Sequence, residues 1–132
     1  MVPRFNPTRY MALLDFFAID HKKKARALSQ TQRSKLEIAI GMSRGADFIL
    51  MDEPLPGTDL FTRQDFFTHM LTLLQPHEGV LIATHHIEAI ESFITRAVVM
   101  GNGRVVASKS MENINNLTDF VQPPLIPGPS AE

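Results

Sequence analysis

The sequence predicts an α/β fold with a mainly parallel sheet, preceded by a helical segment. Three observations predict it: helical apolar spacing over residues 1–45, two short apolar runs at Phe48–Met51 and Val80–Ala83 separated by one helix-length segment, and two further short runs around a glycine turn between Ala97 and Ala107. Strand, helix, strand, helix, strand in that order implies crossover connections and parallel pairing.

The first helix is expected over Arg9–Ile19, where Tyr10, Leu13, Leu14 and Phe17 recur at i, i+3, i+4 and i+7 and form one apolar face. The basic run His21–Lys24 follows. Leu36, Ala39 and Ile40 mark a second helix that ends near Gly45, and the two helices are expected to pack on each other. Phe48–Met51 reads as a strand covered on both faces, since nothing in it is polar. Leu60, Phe67, Met70, Leu71 and Leu74 suit a helix running to Pro76; Val80–Ala83 is a second buried strand; Ile87, Ile90 and Ile94 suit a further helix. AVVM, GNG and RVVA read as two strands around a tight turn. The predicted organisation is therefore a helical segment 1–45, an α/β core 46–116 and a proline-rich flexible tail 117–132.

Composition bounds the function. With 132 residues, 44% hydrophobic and 20% charged, the chain suits one folded domain. A formal net charge of -1 gives no bulk attraction to nucleic acid, and without cysteine there is neither a disulfide nor a thiolate metal site. No stretch reads as a signal peptide or reaches the ~20 apolar residues of a membrane-spanning helix.

Chemistry concentrates at the strand ends, where ligands of open parallel sheets bind. Asp52 and Glu53 close the first apolar run. Neighbouring strand residues point to opposite sides, so the two carboxylates have separate roles rather than sharing a proton. Pro54 is expected to hold Glu53 extended. Asp52 suits one contact to Mg²⁺, which takes one or two carboxylates together with phosphate oxygens, and Glu53 suits orienting a water; an acidic pair that simply ends a strand in solvent is the competing reading. Thr84, His85 and His86 end the second run on the same sheet edge, where an imidazole can meet a phosphate oxygen or a water or merely lie on the surface. Zinc is disfavoured, because adjacent histidines do not readily share one ion and no third ligand stands at metal spacing. Ser29 and Gln32 have capping-box spacing for the second helix, and a capped helix N-terminus is also an anion site.

In this order and spacing, the motifs resemble those of ABC transporter ATP-binding subunits, the likeness running from about Tyr10 to Ala107. Leu28, Ser29 and Gln32 resemble the signature motif, Phe48–Glu53 the Walker B strand, Asp59 the D-loop aspartate and His85 the switch histidine. The resemblance implies a partial P-loop NTPase-like three-layer fold. It further implies that Asp52 serves Mg²⁺, Glu53 activates the hydrolytic water, His85 contacts the γ-phosphate, Asp59 signals across a dimer, and Ser29 and Gln32 meet ATP held by a second ATP-binding subunit. A transmembrane permease subunit would be the other partner, with the chain cytoplasmic and peripheral at the inner face of the membrane.

Two departures stand against this pattern. No G-x-x-x-x-G-K-[ST] loop is present and no glycine is followed by lysine, so the Walker A phosphate cradle is missing. Gln30 and Thr31 also replace both signature glycines. The chain is therefore read as the C-terminal part of a transport ATPase, inactive alone, that couples ATP hydrolysis to transport once the other half is supplied. The alternative is a truncated, non-catalytic module that binds a transporter partner. In the family the phosphate-loop strand lies between those matching Val80–Ala83 and Ala97–Met100, so the sheet is expected to lack an interior member here and its unpaired edges to invite association.

Overall fold

A computed structural model describes residues 4–121. These residues form two compact units that divide between His85 and His86.

The first unit opens with α1 (Pro7–Phe16), two residues ahead of its expected start. The advance has a local cause: Asn6 Oδ1 accepts the Arg9 amide at 3.0 Å, and Pro7 occupies the first helical turn, where its missing N–H costs nothing. Leu13, Leu14 and Phe17 are buried, α1 packs against α2 (Gln30–Met42), and the Phe17 ring lies 5.0 Å from that of Phe66. The buried stripe of α2 is Ile38, Ala39 and Met42, whereas Leu36 is half-buried and Ile40 exposed, so its core face is rotated from the Leu36–Ile40 face expected. α2 ends at Ser43, whose hydroxyl donates to Ala39 O at 2.7 Å.

β1 (Phe48–Asp52) and β2 (Gly79–Ala83) are parallel neighbours, with Phe48 opposite Gly79 and Asp52 opposite Ala83. The connection between them carries α3 (Leu60–Leu71), which stops short of Pro76 and buries Arg63, Phe66, Phe67 and Met70. α2 packs against β1, and a side chain at Gly41 would stand 4.0 Å from Ile49 Cγ2. Ile49 and Met51 are buried accordingly.

The other face of this pair corrects the expectation of a strand covered on both sides. Phe48 is 76% exposed, Leu50 73% and Leu81 60%, because alternate side chains point away from α2 and no described element of the same unit lies over them. Parallel sheets are ordinarily covered on both faces. We expect the isolated chain to self-associate through this apolar face, and Leu50→Lys combined with Leu81→Thr to lower the mass seen by sedimentation velocity. A wild-type chain that sediments as a monomer would contradict this.

One long-range ion pair ties the unit together. The Arg9 guanidinium donates to both Glu78 oxygens at 2.7 and 2.6 Å and to Leu73 O at 3.1 Å, while the Gln75 amide donates to Glu78 Oε1 at 2.7 Å. Only 14% of the Arg9 side chain and 2% of the Glu78 side chain are exposed. The Arg9 hydrogen bonds, helped by the Gln75 amide and opposed by burial, hold the Glu78 carboxyl below its ordinary value.

In the second unit, residues 87–94 form a 3₁₀ turn (Ile87–Ala89) and further turns instead of the expected helix. The β-branched isoleucines at 87, 90 and 94 weaken a segment already too short to nucleate readily. β3 (Arg96–Gly101) and β4 (Arg104–Ser110) form an antiparallel hairpin, turned by Asn102 and Gly103 at φ of 51° and 76°. Among the described residues β1–β2 and β3–β4 are separate two-stranded sheets, the first parallel and the second antiparallel. Residues 117–121 of the expected tail form the short helix α4 (Leu117–Val121), with Leu117 buried against the 3₁₀ turn side of the unit. The remainder of that tail lies outside the described residues.

Candidate functional site

The parallel register sets the geometry of the candidate site. Asp52 and Ala83 end their strands side by side, so the residues that follow, Glu53 on one strand and Thr84 and His85 on the other, leave the sheet at the same edge. Hydrogen bonds join them. The Glu53 amide donates to Ala83 O at 2.7 Å, the Thr84 hydroxyl donates to Glu53 Oε2 at 3.0 Å, and the His85 amide donates to Glu53 Oε1 at 2.5 Å.

The backbone of Glu53 departs from expectation. It stands at φ 40° rather than extended, and Leu55, also followed by proline, stands at φ 57°. The preference imposed by Pro54 is local and weak beside three bonds that fix the carboxylate and amide of the same residue. Leu55 is fully buried and its carbonyl accepts the Thr58 hydroxyl at 2.7 Å, which secures the turn from the other side.

Asp52 is exposed at the end of β1, and among the described residues no cation pairs with it. The two carboxylates thus have different surroundings: one open to an external cation, the other held by its own fold. Asp52 and Glu53 line a cavity of about 420 Å³ together with Gln30, Arg33, Ser34 and Glu37 from the first turns of α2. The structure therefore brings the start of the signature-like helix and the carboxylate pair to one concave surface. His85 meets Glu53 through its backbone and is not part of that lining, nor are Ser29, Gln32 and Asp59.

Ser29 and Gln32 form the capping box foreseen from their spacing. Ser29 Oγ accepts the Gln32 amide at 3.2 Å, and Gln32 Oε1 accepts the Ser29 amide at 2.9 Å. Gln30 and Thr31, standing where the resemblance has glycines, are the first two residues of the helix. Asp59 caps α3: one oxygen accepts the Thr62 amide at 2.8 Å and the other the Thr62 hydroxyl at 2.9 Å, and these bonds hold its carboxyl below the ordinary value. Its observed role is thus local to α3. Thr84, the hydroxyl partner of Glu53, stands out only once the strand register is known.

Among the described residues no cluster of three or more His, Cys, Asp or Glu side chains is arranged to hold a metal by itself. A single exposed carboxylate at a strand end fits Mg²⁺ only as a partial ligand set, completed by phosphate oxygens and water. No described helix is long and apolar enough to cross a membrane.

No family model matches the chain. Curated relatives do. The lipopolysaccharide export system ATP-binding protein LptB of Haemophilus influenzae is 31% identical over 79% of this chain and 44% of its own length. The Nod factor export ATP-binding protein I of Ralstonia nicotianae is 33% identical over 75% of this chain and 32% of its own length. Among solved structures, the ATP-binding cassette MJ1267 of an ABC transporter superposes with a TM-score of 0.67 at 29% identity, over 80% of this chain and 43% of that one. The chain spans less than half the length of these relatives.

Proposed function

Because this chain matches a fragment of the ABC transporter nucleotide-binding domain, we propose that it supplies the carboxylate and switch-histidine edge, and the signature helix, of an ATP-hydrolysing site that drives transport across a membrane. The observation that carries this reading is the junction of Glu53 with Thr84 and His85 at neighbouring strand ends, with Asp52 exposed beside it. On this reading residues 1–45 are a helical subdomain fragment and 46–116 part of the ATPase core, and a permease subunit and a second ATP-binding subunit are the partners at the cytoplasmic face of the membrane.

Bound Mg²⁺ would neutralise charge on the nucleotide phosphates. Asp52 would hold it through a bound water. Glu53, oriented by the Thr84 hydroxyl and the His85 amide, would take up a proton from the attacking water. His85, exposed, stands two residues beyond the strand end, and Ser29 with Gln32 stabilises the helix start that a second subunit's nucleotide would meet.

The triphosphate requires a concave set of backbone amides and a lysine, which the G-x-x-x-x-G-K loop provides and this sequence does not contain. Calorimetric titration of the chain alone with Mg-ATP is therefore expected to show no micromolar binding, whereas an assembly that includes the phosphate loop binds and hydrolyses ATP. Micromolar affinity of the chain alone would contradict the half-site reading.

A further inference from the structure

The reading above gives Thr84 no chemical step, yet its hydroxyl donates to the Glu53 carboxylate, as the His85 amide does. We propose that Thr84 is a positioning residue: together with the His85 amide it clamps both carboxylate oxygens of Glu53 and so fixes the direction in which this side chain faces the cavity. The inference rests on the ATPase reading for its catalytic consequence, though not for the clamp itself.

Three features support it. First, the two donors engage different oxygens, Thr84 Oγ1 on Oε2 and His85 N on Oε1, so the carboxylate plane is set and not just one contact. Second, Glu53 holds φ 40°, a left-handed conformation that a residue with a β-carbon adopts at a cost and that persists where surrounding bonds over-determine it. The Glu53 amide bond to Ala83 O completes that set, so residue 53 is bonded to three consecutive residues of the neighbouring strand end. Third, His85 is exposed, and its amide would exchange freely without an acceptor. Valine is isosteric with threonine but lacks the donor, and serine keeps the donor while losing a methyl group; this pair of substitutions isolates the hydroxyl.

The first measurement is amide hydrogen exchange at His85 in the chain itself. We expect slow exchange in the wild type, exchange about tenfold faster in Thr84→Val, where a rotating carboxylate holds the amide less well, and recovery in Thr84→Ser. The second is steady-state kinetics of an ATP-hydrolysing assembly that includes the phosphate loop. There Thr84→Val should lower kcat about tenfold with KM for ATP unchanged, and Thr84→Ser should restore it. His85 exchange at the rate of a free amide in the wild type, or equal exchange in wild type and Thr84→Val, would overturn the clamp. Altered exchange with full turnover in Thr84→Val would overturn its positioning role. An assembly with no wild-type turnover would count against the ATPase reading, and the exchange data would still decide the clamp.

Discussion

Glu53→Gln is expected to lower the turnover of an ATP-hydrolysing assembly containing this chain by about 10²–10⁴-fold, the usual contribution of a general base, while nucleotide binding persists. The substitution is conservative for the fold. A carboxamide oxygen still accepts the His85 amide, and its NH₂ group donates to Thr84 Oγ1, whose hydroxyl turns to suit, so the junction between the strand ends survives. What disappears is the negative charge that draws a proton from water. Asp52→Asn should differ in kind, raising the Mg²⁺ concentration needed for hydrolysis. Steady-state rates and Mg²⁺ titrations on both variants separate the two roles. Near-full turnover in Glu53→Gln would reduce the acidic pair to a strand ending.

Glu78→Gln carries the largest expected cost in stability, about 3–5 kcal/mol, since it leaves the Arg9 guanidinium buried without its counter-charge. Urea unfolding reads this directly. Replacing both partners with leucine should recover most of the loss, because two buried apolar groups leave no charge stranded. The pH dependence has a defined sign. Glu78 binds its proton less readily in the folded chain than in the unfolded one, so the pair contributes fully above the ordinary value of about 4.5 and its contribution is lost as pH falls below that through the folded-state pKa. The wild type should therefore lose stability in this acid window more steeply than the double leucine variant. Parallel pH profiles for the two proteins would show that Glu78 is not the group responsible.

The parts of the fold legible in the sequence are those written in local code. Apolar runs bounded by turn residues located β1, β2 and the β3–β4 hairpin, and the spacing of Ser29 and Gln32 located a helix start with its reciprocal bonds. The junction of the two strand ends follows from crossover topology, which puts Glu53 and His85 at one edge of the sheet. What escaped is non-local or depends on what lies opposite. Arg9 and Glu78 are 69 residues apart and each reads as an ordinary surface charge until α1 is placed beside the turn before β2. Phe48 and Leu50 looked like core because a fully apolar run carries no mark of which face is covered. Glu53 took a left-handed backbone against its proline neighbour because bonds from another strand outweighed a local preference.

The bare face of β1 and β2 also bears on the lifetime of the polypeptide in a cell. Exposed aromatic and aliphatic side chains on consecutive strands are what holdase chaperones grip and what proteolytic quality control follows to its targets. Phe48, Leu50 and Leu81 form such a mark on an otherwise folded unit. Whatever covers them therefore governs abundance as well as solubility: a covered chain escapes triage, and an uncovered one is removed in proportion to the time it spends bare.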